Sequence, residues 1–231
     1  MNLTPQQLLA LTQLTDSMFP SGGFVHSEGL ESYVQAGEVI HIEQLENLLT
    51  TRLLYDWANQ DFIALHSAVF AYHKRNMALI QQIDERLTAM KIAKETRQSS
   101  SRVGRQTLRT MLMLIDDSFL LDYQTKIQSK TMIGHQAIVF GLVTAAVNID
   151  IEPALTAYAY NLLSSQVSVA IKLMRLGQTQ AQQLLWHVQP IVEQAVAHAM
   201  SNDFEDMQSF VPAIDIYGIQ HEYLFRRLFN S

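Results

Sequence analysis

The sequence contains no cysteine among its 231 residues. This excludes disulfide bonds, a thiol nucleophile and thiolate metal ligands, and it fits a protein of the reducing cytoplasm. Charged residues are scarce, at 16% of the chain, where about 25% is usual. Basic residues are the scarcer kind, with 16 Lys and Arg against 22 Asp and Glu and a net charge of −6. Since nucleic-acid-binding domains normally carry a basic surface, this balance argues against nucleic acid as a partner.

The signatures of common catalytic sites are also missing. The chain has no G-x-x-x-x-G-K-[ST] phosphate loop, no H-E-x-x-H zinc motif and no G-x-S-x-G nucleophile elbow. His26-Ser27-Glu28 has the H-x-E form of zinc deaminases, but that site also needs cysteines. We therefore predict that the chain is not an enzyme and holds no cofactor or metal of its own. A helical cofactor-binding protein that uses His26, Ser27 and His135 is the alternative.

Two segments of 19 residues, 131–149 and 153–171, carry no charge. Their length alone would allow each to span a bilayer. However, the apolar part of the first covers only residues 137–147, and the second has several polar residues in its middle. We predict a buried helical hairpin and no stable membrane insertion. A membrane-associated protein that uses the uncharged hairpin 131–171 is the second alternative.

Apolar residues recur every three or four positions along almost the whole chain, and no segment alternates with period two. One example is the series Leu108, Leu112, Ile115 and Phe119, which predicts a single helix. The pattern predicts an all-α fold of nine or ten packed helices, with residues 1–200 as one helical domain. The acidic stretch 201–206 predicts a flexible connector, so that residues 201–231 form a connector and a C-terminal tail.

Hydrophobic residues make up 48% of the chain. Together with the few charges, this indicates either a surface that a partner or a second copy covers, or a well-filled helical core.

The early loop contains Pro20, Gly22 and Gly23, followed by His26 and Ser27. Such a backbone turns sharply or approaches another group closely. The loop is therefore either a ligand-binding loop or an ordinary turn between helices.

A basic segment stands out in this acidic chain. Six of the 16 positive charges lie within residues 91–109, and only Glu95 opposes them. Arg102, Arg105 and Arg109 are spaced to share one face of a helix. This face would dock an acidic partner surface, or it is simply a solvated face. The six residues are Lys91, Lys94, Arg97, Arg102, Arg105 and Arg109.

Gly134-His135 opens the uncharged hairpin, and Gly141 lies within it. A glycine inside a helix costs about 1 kcal/mol against alanine, so Gly141 indicates close helix packing.

The tail is rich in apolar and aromatic residues. Tyr217, His221, Leu224, Phe225 and Leu228 have the spacing of one helix face. An apolar chain end needs a surface to lie on, and that surface is either the protein's own core or a partner.

Five short motifs, taken in order, are similar to those of the UreF family of urease accessory proteins. Together they extend from about Leu11 to Ser231, nearly the whole chain. The sequence departs from the family pattern at Arg175, where a proline is common, and at Ala181 and Asn230. The motifs are Phe19-Pro20-Ser21-Gly22-Gly23-Phe24 with His26-Ser27-x-Gly29-Leu30-Glu31, then Arg97-x-x-Ser100-x-Arg102-x-Gly104-Arg105, then Gly134-His135, then Leu176-Gly177-Gln178, and finally His221-Glu222 with Arg227-Leu228-Phe229.

The resemblance implies an all-α homodimer that binds the accessory protein UreD, also called UreH, and through it the GTPase UreG. That assembly delivers nickel to apo-urease, and the chain would recruit UreG or gate its GTP hydrolysis. The residues that we predict to bind partners lie in the basic segment and the tail: Arg97, Arg102, Arg105, Arg109, Tyr217, His221, Glu222, Leu224, Phe225, Arg227, Leu228 and Phe229. The residues that we predict to form structural motifs are Pro20, Gly22, Gly23, His26, Ser27, Gly134, His135, Gly177 and Gln178.

Overall fold

The computed structural model describes residues 3–23 and 26–230, and all regular structure within these ranges is helical. The all-α prediction is confirmed. The α-helices are α1 (Pro5–Thr15), α2 (Leu30–Gln35), α3 (Ile42–Thr51), α4 (Ile63–His73), α5 (Met77–Met90), α6 (Lys94–Met111), α7 (Ser118–Gln128), α8 (Gln136–Ala146), α9 (Ile151–Met174), α10 (Gln178–His187), α11 (Gln189–Met200) and α12 (Pro212–Gln220).

A π-helical segment, Arg52–Phe62, joins α3 to α4 without a break. The described residues therefore contain eleven separate helices, one more than the upper number predicted. The predicted single helix through Leu108 and Phe119 is wrong, because α6 ends at Met111 and α7 begins at Ser118. The reason is a cap: the Asp117 carboxylate accepts a hydrogen bond from the backbone N–H of Leu120 at 2.8 Å, which favours a new helix start.

Helix α8 lies at the centre of the core. All of residues 137–145 are buried, and α4, α6 and α9 pack around them. Gly141 permits this packing, since a Cβ atom there would lie 2.7 Å from the carbonyl oxygen of Leu65. The uncharged hairpin is thus part of the protein core. Across the ranges that the structure describes, no helix combines the length and the apolarity needed to cross a membrane.

The C-terminal segment returns to the body of the protein. After α11, residues Phe204–Asp206 form a 3-10 turn, and the Arg86 guanidinium donates hydrogen bonds to the carbonyl oxygens of Glu205 (3.0 Å) and Met207 (2.8 Å). Helix α12 then packs on α2 and α6.

The prediction of one helical stripe over residues 217–231 is wrong. Helix α12 ends at Gln220, a 3-10 turn covers His221–Tyr223, and the chain is irregular from there to residue 230. Leu224, Phe225 and Leu228 therefore do not share a helix face with Tyr217.

Candidate partner-binding site

Helix α6 presents the predicted basic face. Arg102, Arg105 and Arg109 are exposed, and none of the three forms an ion pair with a residue that the structure describes. The Arg105 guanidinium donates hydrogen bonds to the carbonyl (3.0 Å) and hydroxyl (3.2 Å) oxygens of Ser101, which orients it along the helix. Three positive charges without intramolecular carboxylate partners are available to an acidic surface. We call these three residues the basic face.

The other positive charges of the segment have local roles. Arg97 is half-buried and donates hydrogen bonds to the carbonyl oxygens of Lys91 (2.6 Å) and Ile92 (3.2 Å), just after α5 ends. The Lys91 side chain itself lies against Asp61, with 2.8 Å between its Nζ and the carboxylate. Lys94 lies 3.8 Å from the carboxylate of Glu222 in the tail. Arg97, which we predict to contact partners, therefore also binds the backbone that follows α5.

The opposite side of α6 lies directly against the chain that leads into α8. A Cβ atom on Gly104 would overlap the carbonyl oxygen of Gly134 and would lie 2.8 Å from the backbone nitrogen of Gln136. Only glycine therefore allows this approach of the two backbones. The contact fixes the position of α6, and with it the orientation of the basic face.

His135 joins three helices through a buried hydrogen-bond network. Its Nε2 lies 2.8 Å from the Thr88 hydroxyl, and its Nδ1 lies 3.1 Å from the Ser100 hydroxyl. Burial, and then the positive charges of Lys91, Arg97 and Arg105, lower the pKa of His135 to about 3, so the ring is neutral at pH 7. The Thr88 hydroxyl donates to the Asp84 carbonyl oxygen at 2.7 Å.

This network determines the tautomer of His135. Because the Thr88 proton is used, Nε2–H must donate to Thr88 and Nδ1 must accept from Ser100. Ser100 in turn accepts from the backbone N–H of Gln136 at 3.4 Å. Beside it, the Asp84 carboxylate accepts hydrogen bonds from the backbone of Ile133 and from that of Gly134 at 3.2 Å. The His135 network therefore holds the start of α8 in place.

The early loop lies partly outside the described residues, since Phe24 and Val25 are not among them. Pro20 and Gly22 are exposed, Gly22 has a φ of +77°, and the Gly23 carbonyl accepts from the Ser165 hydroxyl at 3.4 Å.

His26 and Ser27 are buried behind this loop. Burial lowers the pKa of His26 below its ordinary value, although the nearby Glu28 opposes this shift. His26 lines a cavity together with Glu28, Ser99 and Gln136.

Gly177 and Gln178 start α10, and the Gly177 N–H donates to the Gln180 side chain at 3.2 Å. The preceding Arg175 has a φ of +54°. Proline cannot adopt this angle, so the turn that departs from the family pattern has a different backbone here.

Two carboxylates, those of Glu31 and Glu95, hold the tail on the protein's own body. His221 is fully buried, with its Nε2 at 3.2 Å from Glu31 and its Nδ1 at 2.5 Å from Glu95. The second oxygen of Glu95 accepts from the Arg227 guanidinium at 2.8 Å. Tyr217 stacks on Tyr33 of α2, with ring centroids 3.9 Å apart. His221 and Arg227 therefore anchor the tail within the chain.

Glu31 also explains why the tail is not helical at its end. Its carboxylate accepts hydrogen bonds from the backbone N–H groups of Leu228 (2.8 Å) and Phe229 (3.1 Å), and Gln35 donates to the Arg226 carbonyl at 2.9 Å. These long-range bonds replace the bonds of a helix. Glu31 belongs to one of the sequence motifs, but its contact with Leu228 and Phe229 is long-range, and no local sequence pattern predicts it.

The anchored tail projects large apolar side chains into solvent. Phe225 is 97% exposed and Leu228 is 74% exposed, while the neighbouring Phe229 is buried under the Lys172 ammonium group. Tyr223 is also exposed. Exposed apolar groups on an ordered backbone are typical of protein-binding surfaces. We call Tyr223, Phe225 and Leu228 the apolar tip.

A second feature that the sequence did not reveal is a cluster of charges on the π-helical segment. Arg52 lies 3.2 Å from Glu28 and 3.4 Å from Asp56, and Gln60 donates to Asp56 at 2.7 Å. These groups and the Lys91–Asp61 pair line one cavity. We call this set, Glu28, Arg52, Asp56, Gln60, Asp61 and Lys91, the ionic cluster.

Burial strongly affects the ionic cluster. It raises the pKa of Asp56 to about 6, although Arg52 and Lys91 oppose the shift. Burial by itself would lower the pKa of Lys91, but the carboxylates of Asp61 and Asp56 raise it above its ordinary value. π-Helical segments often occur at functional sites. In the part of the chain that the structure covers, however, no group of three or more His, Asp or Glu side chains could hold a metal ion.

The whole chain is similar to urease accessory proteins of several bacteria. It is 34% identical to one from Actinobacillus pleuropneumoniae serotype 3 (strain JL03), over 97% of this chain and 99% of the relative. It is 32% identical to one from Bacillus sp. (strain TB-90), over 97% of this chain and 99% of the relative. It is also 32% identical to one from Haemophilus influenzae (strain PittEE), over 100% of this chain and 98% of the relative. These similarities define the class, an all-α urease accessory protein.

The family within that class follows from a family model. The UreF model matches residues 39–189, which include α3 to α10, and each of the three relatives is named UreF. The chain belongs to the UreF family. The resemblance that rested on five short motifs is thereby confirmed.

Proposed function

We propose that this chain scaffolds nickel-dependent maturation of apo-urease as a cytoplasmic homodimer. In this proposal the apolar tip binds the accessory protein UreD/UreH, and the basic face recruits the GTPase UreG or gates its GTP hydrolysis. The observation that carries the proposal is the apolar tip, because Phe225 and Leu228 are exposed on a backbone that Glu31 holds in place.

The physical case for the apolar tip is its arrangement. Burying a Phe or Leu side chain contributes about 1.5–3 kcal/mol each, so Phe225 and Leu228 together would supply a substantial part of a binding free energy. Because the backbone is already ordered, a partner would not have to order it again on binding. Protein interfaces commonly have a few such anchors near their centre.

The physical case for the basic face is electrostatic. The chain has a net charge of −6, so three arginines on one helix, without ion-pair partners among the described residues, form a local region of opposite sign. Such a region steers an acidic partner and fixes its orientation more than it adds affinity. Its contribution should therefore fall as the salt concentration rises.

Pull-down from a lysate of urease-producing cells tests the assembly. Wild-type protein is expected to recover both UreD/UreH and UreG homologues. Reversing the basic face with Arg102→Glu, Arg105→Glu and Arg109→Glu is expected to lose UreG at physiological salt while the circular dichroism stays helical. A control with the same charge change reverses three exposed cations outside α6, Lys74, Lys130 and Arg175. Normal recovery of UreG by the α6 variant would show that the basic face is only solvated.

A further inference from the structure

The ionic cluster lies under the C-terminal part of the chain. Its cavity is lined on one side by the π-helical segment and on the other by Ile214 and Asp215 of α12. Ile214 is buried, and burial raises the pKa of Asp215 above its ordinary value. The cavity wall is therefore formed partly by residues 207–230, which we call the strap.

The first part of the strap bonds directly to the π-helical segment. The Gln60 amide donates to the Ser209 hydroxyl at 2.7 Å, and the Gln208 N–H donates to the Asn59 carbonyl at 3.2 Å. Met207 is buried in the core beside these bonds. Gln60, a member of the ionic cluster, thus contacts the strap itself.

The middle of the strap packs against the start of α2. A Cβ atom on Gly29 would lie 3.1 Å from the Cα atom of Gly218, so the two backbones are almost in contact. A Cβ atom on Gly218 would in turn lie 3.0 Å from the Ala93 methyl group. At Gly218, therefore, α12 lies in direct contact with the start of α2 and with Ala93.

The last part of the strap is held by hydrogen bonds to two carboxylates, in addition to the buried Phe229 ring. Glu31 binds His221 and the N–H groups of Leu228 and Phe229, and Glu95 binds His221 and Arg227. Glu31 is 1% exposed, so it contacts the strap with both oxygens in a dry environment. Hydrogen bonds to a buried charge are among the stronger ones, which makes Glu31 the main attachment.

The side chains of the ionic cluster are largely excluded from water. The buried Gln60 Oε1 atom has no hydrogen-bond partner among the described residues, and Arg52, Asp56 and Asp61 are each less than a tenth exposed. Buried charges are costly to keep from water unless they are fully paired, so the cluster should take up water when the cover is removed.

We propose that the strap seals the ionic cluster from solvent and that Glu31 is its latch, so that a partner which lifts the strap also hydrates the cluster. Opening of the strap and hydration of the ionic cluster then belong to the same conformational equilibrium. A partner that binds the lifted strap more tightly than the closed strap therefore also favours the hydrated state of the ionic cluster. The ratio of the partner's affinities for the lifted and closed forms sets the size of this shift. The inference does not depend on which protein binds the apolar tip.

The chain contains its own reporter for this opening. Trp57 lines the cavity, is 3% exposed and lies under the Arg52 guanidinium at 4.9 Å. The other tryptophan of the chain, Trp186, is 71% exposed. In full-length protein with Trp186→Phe, tryptophan fluorescence and its quenching by acrylamide therefore report on the cavity alone.

The test compares Glu31→Gln with Glu38→Gln in that background. In Glu31→Gln an amide N–H₂ group replaces one carboxylate oxygen and would face a backbone N–H donor, so the latch should open, whereas Glu38 is exposed. We expect several-fold stronger quenching of Trp57 and faster hydrogen exchange at Leu228 and Phe229 for Glu31→Gln, with Glu38→Gln like its parent. Fast exchange with unchanged quenching would show that the strap does not seal the cavity. Slow exchange in Glu31→Gln would show that Glu31 is not the latch.

A second variant covers the case in which Glu31→Gln loses its helical circular dichroism. Arg227→Gln removes only the contact with Glu95 and leaves Glu31 in place. We expect a smaller but measurable rise in Trp57 quenching together with faster exchange at Leu228. Faster exchange without any rise in quenching would overturn the proposal.

Discussion

At the scale of single residues, His135 shows how burial can decide the role of a side chain. Its two ring nitrogens are both engaged, one as donor and one as acceptor, and its ring is neutral. A histidine in this state links α5, α6 and α8 and has no nitrogen left for a metal ion or a substrate. The cofactor-binding alternative for His135 is therefore not favoured by its geometry.

The lowered pKa of His135 predicts a pH dependence of stability. The unfolded chain binds a proton near pH 6.5 and the folded chain only near pH 3, so this contribution is present above pH 6.5 and is lost as the pH falls toward 3. When the pH falls from 7 to 5, protonation of His135 in the unfolded chain should lower the free energy of unfolding by about 2 kcal/mol.

Urea unfolding of wild type and His135→Gln at pH 7 and pH 5 measures how much His135 contributes to the pH dependence of stability. The variant should be less stable at pH 7 but should lose about 2 kcal/mol less than wild type on going to pH 5. Equal losses in the two proteins would mean that His135 is not responsible.

Gly104 provides a second prediction at this scale. Alanine in the middle of a helix normally gains up to about 1 kcal/mol over glycine. At Gly104 the added Cβ would overlap the Gly134 carbonyl oxygen, so Gly104→Ala should instead lower the free energy of unfolding by roughly 1–3 kcal/mol. Gly177→Ala is the control, because its Cβ would meet only the movable end of the Gln180 side chain, at 3.1 Å. A stabilised Gly104→Ala variant in urea unfolding would contradict the close contact.

At the scale of elements, the spacing of apolar residues predicted that helices exist but did not locate their ends. The period of Leu108 to Phe119 continues through a break that a single capping residue, Asp117, creates. In the tail, the spacing favoured a helix, but Glu31 binds the backbone of Leu228 and Phe229 instead. That contact joins positions almost 200 residues apart, and no local pattern contains it.

The candidate site was predictable to a similar extent. The basic face follows from i, i+3 and i+7 spacing, and α6 presents it. The hydrogen bonds of Arg97 to the Lys91 and Ile92 carbonyl oxygens do not follow from spacing, because they depend on where α5 ends. Arg52, Asp56 and Gln60 follow one another at ordinary i, i+4 spacing, which an exposed helix face would show equally. The ionic cluster was missed because the pairs Arg52–Glu28 and Lys91–Asp61, and the burial of all these groups, depend on long-range contacts.

The tail as an element should stabilise the body of the protein. Deleting residues 221–231 would remove the hydrogen bonds that His221, Leu228 and Phe229 make to the Glu31 carboxylate and the burial of the Phe229 ring, which together contribute about 3–5 kcal/mol. For a chain of this size we expect the melting temperature to fall by roughly 6–20 °C. The full-length variant with Phe225→Ser and Leu228→Ser is the matched control, since both side chains are exposed. An unchanged melting temperature after the deletion would mean that the tail is not held on its own body.

At the scale of the whole molecule, the few charges of the sequence are used in two ways. Some are buried in the ionic cluster and in the contacts of Glu31 and Glu95, where they position the strap. The basic face is instead left without carboxylate partners in the described ranges. The described surface therefore carries the basic face and the apolar tip, both held by contacts deep in the fold, which is the arrangement expected of a scaffold that binds other proteins.

The central claim is that the apolar tip is the surface that binds UreD/UreH. The most direct measurement is the dissociation constant of the purified chain with its UreD/UreH homologue, for wild type and for the variant Phe225→Asp with Leu228→Asp. Trp186→Asp is the control, because Trp186 is about as exposed as Leu228 but lies on α10. Loss of two apolar anchors should weaken binding by at least about 3 kcal/mol, a factor of roughly 100, while Trp186→Asp binds like wild type. A double variant that is folded and binds with wild-type affinity would contradict the account.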